Sequence, residues 1–208
     1  MAIGFRNWFE QEDRRPIVFS DLDETLLHSM EIQGLKDNDS KSLGASKGVV
    51  EITISGKKRN IFPRPGLEHF LKEITKFAEV CILTHSPPTH AEKAVRALGI
   101  GHYFSDIYHT GEQSPSSLGE QFKLTERKWI LVDNLKVETI EIINKLRILG
   151  LSFPELNPKD EARLIVTHAK DHFVHVKDWV PTVGEYEDYD LWRIIPKIQA
   201  MLKPQTQE

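Results

Sequence analysis

The stretch that decides the fold is "PIVFSDLDETLLHS", residues 16–29. An apolar run enters two carboxylates one residue apart, Asp21 and Asp23, and a threonine follows before apolar residues resume. Strands often end in Asp, and Asp and Thr suit the turn or helix cap that comes next, so a purely structural reading exists. A chemical reading exists too. Extended chain repeats every second residue, so the two carboxylates can point to one side and serve as nucleophile and proton donor at a shared metal site.

The chain has 208 residues, 39% of them hydrophobic and four of them tryptophan, enough for a full core in one domain with an insertion spanning 1–208. A formal net charge of −4 argues against a large nucleic-acid footprint, which needs a strongly basic surface. The single cysteine, Cys81, lies in an apolar run and has no intrachain partner, which suits a reducing compartment. No apolar run approaches the roughly 18 residues of a membrane span. The start, "MAIGFRNWFEQEDRRP", has neither a signal peptide's long apolar centre nor a glycine at position 2. A cytoplasmic protein without membrane association is the expectation.

Outward from the opening stretch, short apolar runs alternate with helical patterns, the mark of an α/β fold with a mainly parallel central sheet flanked by helices. "PIVFS" (16–20), "VCILT" (80–84) and "KWILVDN" (128–134) read as buried strands, and "RLIVTH" and "HFVHV" as two more. Residues 30–48 are polar and Gly/Ser-rich, a loop, while "VVEITISGKKRNIF" (49–62) alternates like a hairpin turning at Ser55-Gly56. "RPGLEHFLKEITKFA" (64–78) predicts a helix with Pro65 in its first turn, and 88–99 another. The helix after residue 134 places Val137, Ile140, Ile143 and Leu146 at core spacing, and Pro196 should kink the last helix.

Three apolar strands thus end with Asp21 and Asp23, with Thr84, and with Asp133-Asn134. In an open parallel sheet the carboxyl ends of the strands share one edge, where ligands bind. A polar residue at one strand end is ordinarily structural. Three in succession converge on a site.

The order and wording resemble the haloacid dehalogenase superfamily, whose phosphatases carry DxDx[TV] on the first strand. "DLDETLLHS", "RPGLEHFL", "ILTHS", "ILVDN" and the late "VKDWVPTVGEYEDYDLWRIIPKI" are similar to the FCP/SCP-like branch, protein phosphatases acting on the C-terminal domain of RNA polymerase. The resemblance runs over about residues 16 to 203 and implies a Rossmann-like core. It also implies a magnesium-dependent phosphomonoester hydrolase that works through an aspartyl phosphate, with a phosphorylated protein or peptide as partner.

Under that resemblance Asp21 is the nucleophile, already ionised at neutral pH with an ordinary pKa near ~3.9. Asp23 protonates the leaving alkoxide and then activates water, a role worth ~10²–10⁴ in rate. That role asks for a raised Asp23 pKa. An oxygen-only magnesium site is implied from Asp21, the Asp23 carbonyl and Asp133, with Asn134 placing a metal-bound water or fixing Asp133. Thr84 would hydrogen-bond a phosphoryl oxygen. A lysine should balance the phosphoryl charge. Lys123, in "EQFKLTE", best matches the family's position although its spacing to Asp133 is short, and Lys128 is its rival. His109 stands where related enzymes carry an arginine, and Leu135-Lys136 replace the usual serine-proline.

No large cap is legible: residues 30 to 62 read as a loop plus a hairpin, and little beyond one helix and a loop fits between Thr84 and Asp133. An uncovered site favours a bulky substrate that itself excludes water. A small-molecule or nucleotide-end phosphatase is the same-fold alternative, and a non-catalytic binding module the alternative of another class. The acidic run "GEYEDYD" (184–190) and the basic run "GKKRN" (56–60) read as a helix-dipole complement and a solvated hairpin turn.

Overall fold

The computed structural model describes residues 15–32, 48–181 and 188–203. Five strands form a parallel sheet: β1 (Ile17–Ser20), β5 (Glu79–Thr84), β6 (Asp106–His109), β7 (Trp129–Asp133) and β8 (Phe173–His175). Their order is β6-β5-β1-β7-β8. The chain moves outward from β1 through β5 to β6, then returns to β7 on β1's other side. This places the reversal of strand order, and the crevice it opens, at the carboxyl end of β1.

Strand alternation divides the core. Val18, Val80, Ile82, Ile130 and Val132 belong to one buried cluster; Ile17, Phe19, Cys81, Leu83, Trp129 and Leu131 belong to the other. The first cluster is closed by helices α1 (Leu67–Ile74), α2 (Pro88–Ala97) and α6 (Asp190–Leu202). The second is closed by α3 (Ser117–Gln121), α4 (Ile140–Ile148) and α5 (Pro158–His168). Each fully buried aliphatic side chain contributes about 1.5–3 kcal/mol, so burial on both faces holds the sheet between its helices.

The hairpin is present and gains a strand. β3 (Val50–Ile54) and β4 (Lys57–Pro63) turn through Ser55 (φ 50°) and Gly56 (φ 78°), and β2 (Leu27–Glu31) pairs β4 to complete a small antiparallel sheet. β2 leaves directly from the Asp21–Thr25 loop, so this sheet grows out of the crevice. Residues 33–47, which include most of the expected loop, lie outside the described residues.

Several expectations are corrected. "RLIVTH" is not a strand but the second half of α5. Asn157 Oδ1 accepts the Asp160 N–H at 3.1 Å, Pro158 fills the first turn, and Asp160 and Glu161 follow. Those start signals outweigh the apolar triplet, of which Ile165 alone is fully buried. Between Thr84 and Asp133 the chain builds α2, β6 and α3 rather than one helix and a loop. Pro65 precedes its helix, which starts after Gly66 (φ 77°); a Cβ there would stand 2.1 Å from Trp192 Nε1, so α6 approaches closely only because the residue is glycine. Ile143 and Leu146 are buried as their spacing predicts, but Ile140 is 60% exposed, and α4 also buries Ile142, Lys145 and Ile148. α6 runs from Asp190 to Leu202 with Pro196 inside it. No helix among the described residues is long and apolar enough to cross a membrane.

Candidate active site

Asp21 follows β1 and Asp133 ends the adjacent β7; the Asp21 N–H donates to the Val132 carbonyl at 2.9 Å, which locks the two strand ends together. By alternation Asp21 shares the face of Phe19 and Asp133 that of Leu131, the face covered by α4. From α4 the Lys145 Nζ donates to Asp21 Oδ1 and to Asp133 Oδ2, at 2.6 Å each. Lys145 is 1% exposed and Asp133 0%. This is a clamped, desolvated triad of charges.

Burial works against the Lys145 ammonium, but the facing Asp21 and Asp133 carboxylates reverse that and hold its pKa above the ordinary lysine value. The expectation of an ordinary Asp21 pKa is corrected: burial pushes it up to about 7, Lys145 opposes this, and Asp133 adds to it. One ammonium does not compensate the negative charge gathered here.

Asp23 is held from the segment after β5 rather than from α4. His90, in the first turn of α2, donates from Nε2 to Asp23 Oδ1 at 2.9 Å, and Ser86 Oγ donates to Asp23 Oδ2. The expected rise in the Asp23 pKa is therefore corrected. Burial pushes it up, but the bonds from His90 and Ser86, with the charge of Arg59, bring it below the ordinary carboxylate value. Thr84 ends β5 beside β1, 1% exposed, and its Oγ1 accepts the Ser86 N–H at 3.1 Å, which fixes the turn that delivers Ser86 to Asp23. His109 is buried and donates from Nδ1 to the Ser86 carbonyl at 2.9 Å, a buttress for the same turn.

Asn134 holds the loop after β1 to the end of β7. Its Oδ1 accepts from Thr25 Oγ1 at 2.9 Å, its N–H donates to that oxygen at 3.1 Å, and its Nδ2 donates to Asp178 Oδ1 at 3.0 Å. Thr25 Oγ1 also lies 3.4 Å from Asp21 Oδ2.

The lysine is a correction. Lys123 is exposed in a turn after α3 with φ 51°, and none of its side-chain bonds reaches a site carboxylate among the described residues. Lys128 is exposed too, and its Nζ donates to the Lys203 carbonyl. Lys145 takes the place between the carboxylates. Its signal was in the sequence: Ile142, Lys145, Leu146 and Leu149 fall at i, i+3, i+4 and i+7, so the lysine stands inside a buried helical stripe. Asp178 was likewise missed. It lies in the irregular segment after β8, and no periodicity marks it.

Magnesium fits these residues. Among the described residues no three His, Cys, Asp or Glu side chains converge as a closed metal site requires, but magnesium asks for only one or two carboxylates plus waters and phosphate. Asp21 and Asp133 offer hard oxygen donors, with the Asp23 carbonyl on the same loop. The uncompensated charge around Asp21 is what a divalent cation neutralises.

A family profile, that of the NLI interacting factor-like phosphatases, matches residues 16–146. The chain belongs to this family. The matched segment of this NLI interacting factor-like phosphatase contains Asp21, Asp23, Thr84, Asp133 and Asn134, and also Lys145. Two solved structures share its fold. One is Fcp1, described as an essential RNA polymerase II CTD phosphatase, with a TM-score of 0.55 and 18% identity over 93% of this chain and 63% of that one. The other is the fission yeast RNA polymerase II CTD phosphatase Fcp1 bound to beryllium fluoride, with a TM-score of 0.53 and 17% identity over 93% and 64%. The chain therefore spans less than two thirds of the length of those structures, and at such identity the likeness concerns the fold. No curated protein matches the chain significantly by sequence.

Proposed function

We propose that the chain is a magnesium-dependent phosphomonoester hydrolase that acts through an aspartyl phosphate on Asp21, with phosphoserine or phosphothreonine in a protein segment as substrate. The observation that carries the reading is the Lys145 clamp on Asp21 and Asp133 at the carboxyl edge of the sheet, facing an Asp23 held by His90 and Ser86.

Lys145 engages Asp21 Oδ1, which leaves Oδ2 as the attacking oxygen. That oxygen forms a bond to phosphorus as the bond from phosphorus to the ester oxygen breaks, and the departing alkoxide takes its proton from Asp23. Asp23 is anionic in the free protein, and the arriving phosphate dianion raises its affinity for a proton. Water then attacks phosphorus, Asp23 receives the water's proton, and the carboxylate of Asp21 is released with inorganic phosphate. Thr84 and Lys145 balance charge on the phosphoryl oxygens. Asp21, Asp133 and the Asp23 carbonyl would hold magnesium, which would supply the positive charge that lets a dianion approach two carboxylates.

A protein substrate is supported by the small insertion: the described part of it is a three-stranded sheet beside the crevice. The two Fcp1 neighbours, named as CTD phosphatases, support it from fold likeness. The test is phosphate release with and without EDTA from phosphoserine peptides, p-nitrophenyl phosphate, sugar phosphates and nucleotides. Magnesium-dependent turnover with kcat/KM highest on peptides is the expected result. A preference for sugar phosphates or nucleotides would refute the protein substrate, and no turnover on any of them would refute the enzyme.

A further inference from the structure

The basic run on the hairpin does not behave as a uniform solvated turn. Lys57 pairs with Glu31 at 3.2 Å and Lys58 with Glu51 at 2.9 Å. Arg59, the third cation, makes no ion pair or hydrogen bond among the described residues, and its Nε is buried without an acceptor. A buried charged donor left unmade is expensive, so native structures keep such atoms where an acceptor arrives.

A second orphan lies beside it. Ser29 Oγ is the other buried side-chain polar atom without a partner among the described residues. β2 pairs β4 with Glu31 opposite Arg59 and Ser29 opposite Ile61, so Ser29 and Arg59 are diagonal neighbours on one face of the small sheet. Ile61 (0% exposed) and Ile52 (8%) share that face, which is the one turned to the core. Lys93 of α2 donates to the Thr53 carbonyl at 2.8 Å and ties the sheet to the helix whose His90 holds Asp23. The positive charge of Arg59 is felt at Asp23. Leu27, which opens β2, bridges to Asp23, so Ser29 and Arg59 stand as unmatched donors on the sheet that leaves the catalytic loop.

We propose that Arg59, with Ser29 beside it, forms an anion subsite next to Asp23 that selects substrates bearing a second negative group, a carboxylate or another phosphate, near the scissile phosphate. The guanidinium would receive that group bidentately, as its planar fork favours. This inference rests on the phosphatase reading above and specifies its substrate.

The test uses three phosphoserine peptides that differ at the adjacent residue: alanine, aspartate, or a second phosphoserine. The quantity read is the kcat/KM of each anionic peptide divided by that of the alanine peptide. The same ratio is read from binding of non-hydrolysable phosphonate versions. For the unmodified chain the ratio should be about tenfold or more, the worth of a charged hydrogen bond. Arg59→Ala should bring it near one, Arg59→Glu below one, and Arg59→Lys should keep part of it. A larger ratio for aspartate than for phosphoserine assigns the subsite to carboxylates, and the reverse to phosphate. Ratios near one in the unmodified chain, or unchanged ratios in Arg59→Ala and Arg59→Glu, would overturn the subsite. A binding ratio that persists and responds to Arg59 while no peptide is hydrolysed would refute the phosphatase reading and leave the subsite standing.

Discussion

Replacing Lys145 by methionine keeps the length of the side chain and removes its ammonium from between Asp21 and Asp133. At 2.6 Å each pair carries a gross attraction of about 6 kcal/mol at an effective dielectric near ~20. Desolvation of the three groups consumes much of this. Removing one partner of a buried pair leaves the others uncompensated, with a net loss of about 3–5 kcal/mol. Set against a domain stability of about 5–15 kcal/mol, that is a large fraction. Urea unfolding at neutral pH in EDTA should therefore show a midpoint far below that of the unmodified chain. Magnesium at about 100 times its Kd adds about 2.7 kcal/mol to any protein that binds it only when folded. It should narrow the gap, since it restores positive charge between the same carboxylates. Turnover should fall about 10²–10³-fold, the loss typical of one charge-stabilising donor. An unfolding midpoint and a turnover both close to those of the unmodified chain would refute the assignment of Lys145. So would a Lys123→Met variant that shows these losses while Lys145→Met does not.

Three further outcomes follow from particular contacts. Asp23→Asn should slow hydrolysis of an alkyl phosphate by about 10²–10⁴ and an aryl phosphate with a good leaving group far less; equal losses on both would remove its role as acid. Glu161 is held below the ordinary glutamate pKa by its bond to Arg147, and burial opposes this only in part. A depressed folded-state pKa contributes stability above the unfolded value of about 4.5 that fades as pH falls through the folded value. Glu161→Gln should thus cost at most about 1 kcal/mol at pH 7, and the difference should close in acid; a gap that widens in acid would contradict the pairing. Gly66→Ala should destabilise by about 1–3 kcal/mol, because positive φ and contact with the Trp192 ring coincide there, and should shift tryptophan fluorescence; an unchanged melting temperature would mean that α1 and α6 can separate freely.

What the sequence disclosed, and what it hid, divides along a physical line. The strands β1, β5 and β7 were legible because strands buried on both faces are continuous apolar runs, and the polar residues that end them stand out for that reason. Ser55-Gly56 was legible because glycine readily takes the positive φ that tight two-residue hairpin turns demand, and both residues adopt it here. α5 was misread because Leu164-Ile165-Val166 imitates a strand, and the helix start lay six residues upstream at Asn157-Pro158. Lys145 was hidden for a different reason. A lysine on a helix is ordinarily solvated, and only its place in the stripe with Ile142, Leu146 and Leu149 reveals that it points inward. The partners of Asp23 were hidden as well. His90 and Ser86 reach it only because β5 runs next to β1 and its following turn and helix lie over the crevice.

The central claim is that Asp21 itself becomes phosphorylated during turnover. Rapid acid quench of the chain with a phosphopeptide and magnesium, followed by peptide mass mapping, reads this directly. One added phosphoryl group on the fragment containing Asp21, absent in Asp21→Asn, is the expected result. Turnover that proceeds with no phosphorylated fragment at any time, or an Asp21→Asn variant that still turns over at a near-normal rate, would contradict it.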